Sequence, residues 1–489
     1  MTDSAPIRPE ARAPRGFADR RGRDLMAERR IVEAVAPVYE RWGFEPLETP
    51  AFEYADALGK FLPDADRPNA GVFALQDDDE QWMALRYDLT APLARYAAEN
   101  WETLPKPFRR YAFGPVWRNE KPGPGRFRQF VQCDADTVGS DRPEADAEII
   151  AMAAEGLAAA GLEPGQAIVR VSSRQLVNGV LEAAGVSDPS QTLAVLRAVD
   201  KLDRLGLEGV RLLLGEGRLD ESGDFTKGAG LSAPGAQAVL DFLAVGAEGG
   251  DDVLGALDAV VGATASGRAG LESLMRIQSA LKAMGVGPDR AVIDPSIVRG
   301  LEYYTGAVFE AELTLPVTDD KGRPVRFGSI GGGGRYDDLV ARFTGERVPA
   351  TGFSFGVSRL AAALAASGRT ASVARGPVVV IAFSEDDMAH YFAAAAELRA
   401  AGVPAEVYLG RAGMKAQMKY ADRRDAPAVI LLGGDEIAAG QVTIKDLDAG
   451  RAAAQGLSDN AAWKAERPGQ VTVSRDQMAG LIRAILSAG

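Results

Sequence analysis

Residues 105–140 read PKPFRRYAFGPVWRNEKPGPGRFRQFVQCDADTVGS. Lys106, Arg109, Arg110, Arg118, Lys121, Arg126 and Arg128 crowd around one early acid, Glu120, in a chain of formal net charge −13. A polyanionic ligand would explain this local reversal, because guanidinium groups grip phosphate through two parallel charge-assisted hydrogen bonds. Tyr111-Ala112-Phe113 leads in like a strand and Lys121-Pro122-Gly123-Pro124-Gly125 reads as a turn. Phe127-Arg128-Gln129-Phe130-Val131-Gln132 alternates on the way out. The pattern predicts a hairpin able to lay a nucleotide along its face. A surface hairpin with a solvated basic side would carry the same charges, so charge alone leaves both readings open.

Over its whole length the segment resembles motif 2 of the class II aminoacyl-tRNA synthetases, in detail that of the histidyl-tRNA synthetase family. The resemblance implies that Arg118 holds the ATP α-phosphate and the amino-acid carboxylate, and that Glu120 reads the adenine amino group. It places Arg126 on the outer phosphates and stacks Phe130 on adenine.

Composition narrows the alternatives. At 489 residues the chain is long enough for more than one domain, at roughly 100–200 residues each. Its 46% hydrophobic and 25% charged content is ordinary for a globular protein. No run approaches the ~18 apolar residues of a membrane span. The first 24 residues have no apolar core and carry acids, unlike a secretory or transit peptide, so a cytoplasmic location is expected. Cys133 alone cannot build a disulfide framework, and His390, the single histidine, cannot supply a multi-histidine metal centre. His390 falls in a helical pattern remote from the motifs and reads as a helix-surface residue. Overall acidity argues against indiscriminate nucleic-acid binding, so neither DNA nor a membrane is an expected partner. A tRNA is not excluded, since its grip depends on the local surface.

Outside the hairpin, residues 25–42 have apolar side chains at helical spacing, with Pro37 expected to kink the helix or end its first part. The extended stretch 44–50 follows. The pair resembles motif 1, which forms the dimer interface in that family, and so implies a homodimer. Residues 182–289 are helical, rich in Ala, Leu and Gly, and resemble the insertion that clasps the tRNA acceptor arm. After a linker at 367–372, strands expected at 378–383, 405–408 and 428–432 alternate with helices at 387–401 and 413–424. That alternation predicts a small α/β domain with a largely parallel sheet. It resembles the anticodon-binding domain of class IIa synthetases, and Lys415 and Lys419, four apart on one helix face, are its candidate tRNA contacts. An ordinary solvated helix would carry the same two lysines.

The remaining motifs carry the amino-acid chemistry. Ile297-Val298-Arg299-Gly300-Leu301-Glu302-Tyr303-Tyr304-Thr305-Gly306 resembles the family's Arg-Gly-Leu-Asp-Tyr-Tyr signature, with Glu302 in place of the usual Asp. The resemblance puts Arg299 beside the α-phosphate as a second catalytic arginine, Tyr304 on one imidazole nitrogen, and Tyr303 in the pocket wall. Within Gln132-Cys133-Asp134-Ala135-Asp136 it assigns Gln132 to the amino group and Asp136 to the ring. In Leu85-Arg86-Tyr87-Asp88-Leu89-Thr90 it assigns Asp88 and Thr90 to the α-ammonium, with Leu89 between them. Taken alone, Asp-x-Thr is more often a turn or helix cap. Ser329-Ile330-Gly331-Gly332-Gly333-Gly334-Arg335-Tyr336-Asp337 gives a backbone without side-chain bulk, open to close approach, and adds Tyr336 to the histidine site. Gly352-Phe353-Ser354-Phe355-Gly356-Val357-Ser358-Arg359-Leu360 resembles motif 3, which places Arg359 on the ATP phosphates; Ser358 stands where Glu is frequent. The turn lacks the Gln frequent in the family's motif 2 loop, which implies weaker dependence on the extra 5′ nucleotide of histidine tRNA.

The expectation is therefore an α+β protein: a class II antiparallel catalytic sheet with a helical insertion, followed by a C-terminal α/β anticodon-binding domain. The boundaries are an extension at 1–24, a catalytic domain at 25–181 and 290–366, the insertion at 182–289, and the anticodon-binding domain at 376–489. The implied reaction joins histidine to ATP as histidyl-adenylate and transfers it to the 3′ end of tRNA(His), with Mg²⁺ on the outer phosphates. No set of metal ligands is legible. A non-catalytic histidine-binding paralogue of the ATP phosphoribosyltransferase regulatory type is the main rival. A sister synthetase for threonine, proline or glycine is the other.

Overall fold

Successive side chains of a strand point to opposite faces, and this chain uses the alternation to give one sheet an oily side and a polar side. Cys133 and Ala135 of Gln129–Val138 share a buried cluster with Tyr111, Phe309, Phe353 and Phe355 from neighbouring strands. The helices Gly22–Arg41, Pro143–Ala159, Ala265–Ala283 and Val357–Ala366 close over that side. Gln132, Asp134 and Asp136 occupy the other side, where the site is built.

The computed structural model describes residues 10–61, 71–121, 127–219, 223–248, 252–297, 304–318, 324–325, 328–368, 375–449 and 469–488. The chain divides into two units, 1–371 and 372–489. The first holds an eight-stranded sheet in the order Glu45–Pro46, Phe108–Trp117, Gln129–Val138, Ala350–Gly356, Ser329–Arg335, Ala307–Leu313, Ala167–Ser173, Ala291–Ile293. Its inner strands are antiparallel, as expected, and the basic segment forms the hairpin in second and third place of that order. The two outermost strands pair parallel with their neighbours, which the sequence reading did not anticipate. Each is joined to its neighbour by a long excursion rather than a tight turn, which is the connection that parallel pairing needs.

Gly22–Arg41 passes through Pro37 without ending there. Pro37 and Glu33 lie on the exposed side, so the carbonyl that loses its amide partner meets water. Ile31, Val35, Val38 and Tyr39 on the opposite side are buried, which favours continuation of the helix. Among the described residues between Arg174–Ala183 and Ala265–Ala283, the elements are helices apart from one short hairpin, Gly217–Leu219 with Phe225–Lys227.

The glycine strand Ser329–Arg335 meets its neighbours closely. A Cβ on Gly331 would sit 2.8 Å from the Phe353 ring and from Phe355 Cβ, and one on Gly333 would sit 2.1 Å from the Gly352 carbonyl oxygen. Only Gly332 has room, its nearest neighbour being the Phe309 oxygen at 3.5 Å. Glycine is thus required here by strand packing, and the open backbone expected for a substrate narrows to Gly332. Gly333→Ala should cost at least the ~1–3 kcal/mol of an overpacked core, seen as a lower urea midpoint. At the end of the run Arg335 binds Asp146 Oδ2 at 2.8 and 3.0 Å and the carbonyls of Ser140 and Arg142 at 2.7 and 3.0 Å. These bonds fasten the strand to Pro143–Ala159.

The second unit has a five-stranded sheet in the order Ala405–Val407, Val378–Val380, Ala428–Leu431, Gln441–Asp446, Gln470–Ser474. The first three strands are parallel, as expected, and the last two antiparallel, so the sheet is mixed. The short helix Gly434–Ala439 ends at Gly440, whose φ of 65° turns the chain straight back. No crossover intervenes, and the return is antiparallel. His390 is exposed on Met388–Ala400, as its helical pattern implied.

Candidate active site

The polar side of the first unit's sheet is organised by one buried cation. Arg110 has no exposed surface and lies opposite Asp136 in the hairpin register. Its Nη2 is 2.8 Å from Asp136 Oδ2 and donates to the Leu89 carbonyl at 2.8 Å. The Tyr336 hydroxyl donates to Asp136 Oδ1. Gly352, the partner of Asp136 on the next strand, leaves space for the carboxylate: a Cβ there would lie 1.8 Å from Oδ1. Asp136 Oδ1 thus accepts from Tyr336, while Oδ2 faces Arg110 without accepting a hydrogen bond among the described residues, so an imidazole N–H can be received at Oδ2 or share Oδ1. Carboxylate oxygens have a second lone pair, so sharing is allowed.

Asp88 stands at the start of Thr90–Glu99 and accepts from the amides of Thr90 at 3.2 Å and Ala91 at 2.9 Å. The cap expected of an Asp-x-Thr pair is formed, and the same carboxyl lies within electrostatic reach of Asp134, Asp136 and Tyr304. Burial pushes the Asp88, Asp134 and Asp136 carboxyls up, most legibly Asp134, to about 7. Arg110 opposes the rise at each of them. Burial also holds the proton on the Tyr304 hydroxyl, reinforced by Asp136, Asp88 and Asp134. Tyr304 packs against Gly334, where a Cβ would be 2.7 Å from its ring. The polar face thus gathers a neutral tyrosine hydroxyl and three acids, chemistry suited to a ligand with an ammonium group and ring N–H donors.

The anion-binding side begins at the end of the first hairpin strand. The Arg118 guanidinium lies 4.3 Å from the Tyr87 ring centre and 5.1 Å from that of Phe130, with Nε donating to the Tyr87 carbonyl at 3.4 Å. The Tyr87 hydroxyl donates to Glu120 Oε1 at 2.9 Å. Arg118, Glu120 and Phe130 are therefore brought together, next to the loop that carries Asp88. Arg359 is exposed in the first turn of Val357–Ala366. Ser358 beside it, at the position noted for standing where Glu is frequent, accepts from the Val131 amide at 3.2 Å and from Arg20 at 3.4 Å. The segment set apart as an N-terminal extension is tied in here as well. Gly16 and Arg15 carbonyls accept from Arg128, and Phe17 lies 5.6 Å from Phe73.

Arg126, Arg299 and Tyr303 lie outside the described residues. Lys415 and Lys419 are exposed on Met414–Arg423 in the second unit. Gln417 between them is buried and anchors the helix to Ala382 and Ala412 by bonds of 2.6 to 2.9 Å. Arg110 and Arg86 are the structural discoveries. Arg86, 5% exposed, donates to Pro115 and Thr49 carbonyls at 2.9 and 2.8 Å and packs under Gly114. Alternation of polar residues at 132, 134 and 136 was the available signal for a buried cation opposite them. Among the described residues, no group of three or more His, Cys, Asp or Glu side chains could hold a metal ion. No described helix is long and apolar enough to cross a membrane.

A sheet of antiparallel inner strands with a basic hairpin, a glycine strand and an acid-bearing polar face defines the catalytic unit of a class II aminoacyl-tRNA synthetase. Residues 16–360 match the family model described as "Histidyl-tRNA synthetase", and residues 377–484 that described as "Anticodon binding domain". The chain is 73% identical over 482 residues to the histidine–tRNA ligase of Caulobacter vibrioides, covering 98% of this chain and 97% of that protein. It is 56% identical over 491 residues to that of Cereibacter sphaeroides, covering 99% and 98%. The crystal structure of histidyl-tRNA synthetase from Nostoc superposes with a TM-score of 0.73 at 28% identity, covering 98% of this chain and 100% of that one. The chain belongs to the histidyl-tRNA synthetase family.

Proposed function

We propose that the chain activates histidine with MgATP and transfers the histidyl group to tRNA(His), with the adenylation chemistry centred on Arg118. A carboxylate oxygen of histidine attacks the α-phosphorus, the bond to pyrophosphate breaks, and histidyl-adenylate remains. Both reactants are anionic, so catalysis consists of aiming positive charge at the phosphorus as negative charge gathers there. Arg118 is held for that task by two aromatic rings, and Arg299 is the second arginine we assign to it. Phe130 and Glu120 receive the adenine, while Arg126 and Arg359 take the outer phosphates. Mg²⁺ arrives as part of the nucleotide, needing few protein ligands because it keeps waters and phosphate oxygens.

Histidine lies on the acid-bearing polar face. Asp88, Thr90 and Gln132 surround the α-ammonium, with Leu89 anchoring their loop through Arg110. Tyr304 and Asp136 address the two imidazole nitrogens, and Tyr303 and Tyr336 shape the wall. The observation that carries this reading is that Asp88 lies within electrostatic reach of Arg118 as well as of Asp136 and Tyr304, which links the acids to the Arg118–Phe130 platform. Lys415 and Lys419 contact the tRNA anticodon arm. The protein works as a homodimer in the cytoplasm, the likeness of residues 25–50 to motif 1 supporting the dimer.

Amino-acid-dependent ATP–pyrophosphate exchange tests the core of this reading. Exchange should require histidine and ignore threonine, proline and glycine, and tRNA(His) should be charged. Histidine binding without exchange would instead favour the regulatory paralogue, and exchange with another amino acid would overturn the pocket assignment.

A further inference from the structure

Three side chains on adjacent strands form a chain of hydrogen bonds on the polar face. Gln132 Nε2 donates to Ser354 Oγ at 2.9 Å, and Ser354 donates in turn to Asp134 Oδ1. Ser354 and Asp134 are register partners, and Gln132 precedes Asp134 by two residues on the same face. Gln132 and Asp134 are 8% and 1% exposed. Gln132 Oε1 is buried and accepts from no group among the described residues.

A hydroxyl has one proton and two lone pairs. Because Ser354 gives its proton to Asp134, it can offer Gln132 only a lone pair. Gln132 must turn its NH₂ toward Ser354, which leaves Oε1 as the group without a donor. A buried carbonyl oxygen without a donor is costly, and a ligand bringing an N–H removes that cost.

We propose that Ser354 and Asp134 are positioning residues for α-ammonium recognition, locking the Gln132 amide so that an acceptor, rather than a donor, faces the cation. This rests on Gln132 being the amino-group contact assigned above. Without the lock the amide can rotate half a turn and present its NH₂ to the ammonium, donor against donor. The direction of the chain depends on Asp134 accepting. Its carboxyl, raised by burial to about 7, faces Arg110 on the neighbouring strand, Asp136 on its own and Asp88 at the head of Thr90–Glu99, and its charge is also felt at Arg86. Below about pH 7 it gains a proton and can donate to Ser354. Ser354 can then donate to Gln132 Oε1, reversing the order. Discrimination for the ammonium should therefore weaken on the acid side.

Two competitive inhibitors of histidine-dependent exchange provide the test: histidinol, which keeps the ammonium, and imidazolepropionate, which lacks it. Ser354→Ala should raise the inhibition constant of histidinol by roughly tenfold, the worth of a hydrogen bond to a charged group, and leave imidazolepropionate within about twofold. In the unaltered enzyme the ratio of the two constants should shift against histidinol between pH 8 and 6. Each constant is first corrected for its probe's own imidazole titration, which differs between the two because an ammonium lowers and a carboxylate raises the ring pKa. Ser354→Ala should flatten it. Equal losses for both inhibitors, or no loss while Gln132→Ala still weakens histidinol alone, would overturn the relay and leave the Gln132 contact standing. A Gln132→Ala enzyme that treats both inhibitors normally would overturn the contact and the relay together. The pH dependence of the unaltered enzyme needs no variant to fold, and a flat ratio would itself refute the relay.

Discussion

Arg118→Ala should lower histidine-dependent ATP–pyrophosphate exchange by about 10²–10³-fold, the loss expected for one preorganised contact to a charge that develops in the transition state. The guanidinium is held against the Tyr87 and Phe130 rings, 4.3 and 5.1 Å from their centres. Stacking suits a flat, delocalised, weakly hydrated cation and leaves its edge free to fork onto phosphate oxygens. Arg118→Lys should restore only part of the activity, because an ammonium is a point charge that neither stacks flat nor forks. Histidine affinity, read by calorimetry without ATP, should change far less than exchange, since the ammonium and ring contacts lie elsewhere on the polar face. Near-normal exchange in Arg118→Ala would remove this residue from the chemistry.

What the sequence made legible follows from how local each signal was. Arg118, Glu120 and Phe130 lie within one hairpin whose turn chemistry and alternation could be read directly, and the structure brings them together. The partnership of Arg110 with Asp136 was not visible, because it exists only through the hairpin register that sets them opposite each other. Arg110 could be counted among the basic residues of the segment, but not recognised as the one buried beneath the acids. Asp136 shows the converse. Its likeness to a ring-binding residue was readable, whereas its prior engagement by Tyr336 depends on a strand far along the chain. The glycine run was read as room for substrate. Three of its members instead make room for Phe353, Phe355, Gly352 and Tyr304, which only strand pairing could reveal. The antiparallel end of the second unit's sheet escaped notice for a similar reason, since it depends on one left-handed glycine after a six-residue helix.

Arg110→Met should destabilise the first unit by about 3–5 kcal/mol, because removing one partner of a buried ion pair strands the other. The penalty spreads beyond Asp136. Arg110 also holds down the carboxyls of Asp134 and Asp88, and burial pushes all three up. Without it their folded-state proton affinities rise further above those of the unfolded chain. Between about pH 4 and those raised values the folded state then binds more protons than the unfolded one, so its stability falls as pH rises. The deficit relative to the unaltered protein should therefore be larger at pH 8 than at pH 5.5, as read from urea midpoints of the catalytic unit's transition. Adding Asp136→Leu to Arg110→Met should recover part of the loss, because it removes the buried carboxylate that the missing guanidinium leaves unpaired. A loss below about 1 kcal/mol, or one independent of pH, would mean that the acids find another counter-charge. Function should fail alongside stability, since Arg110 also holds the Leu89 carbonyl at 2.8 Å and so fixes the loop carrying Asp88 and Thr90. At a pH where the variant remains folded, its KM for histidine should rise more than its KM for ATP, because the slackened loop belongs to the ammonium side of the site and not to the Arg118 platform.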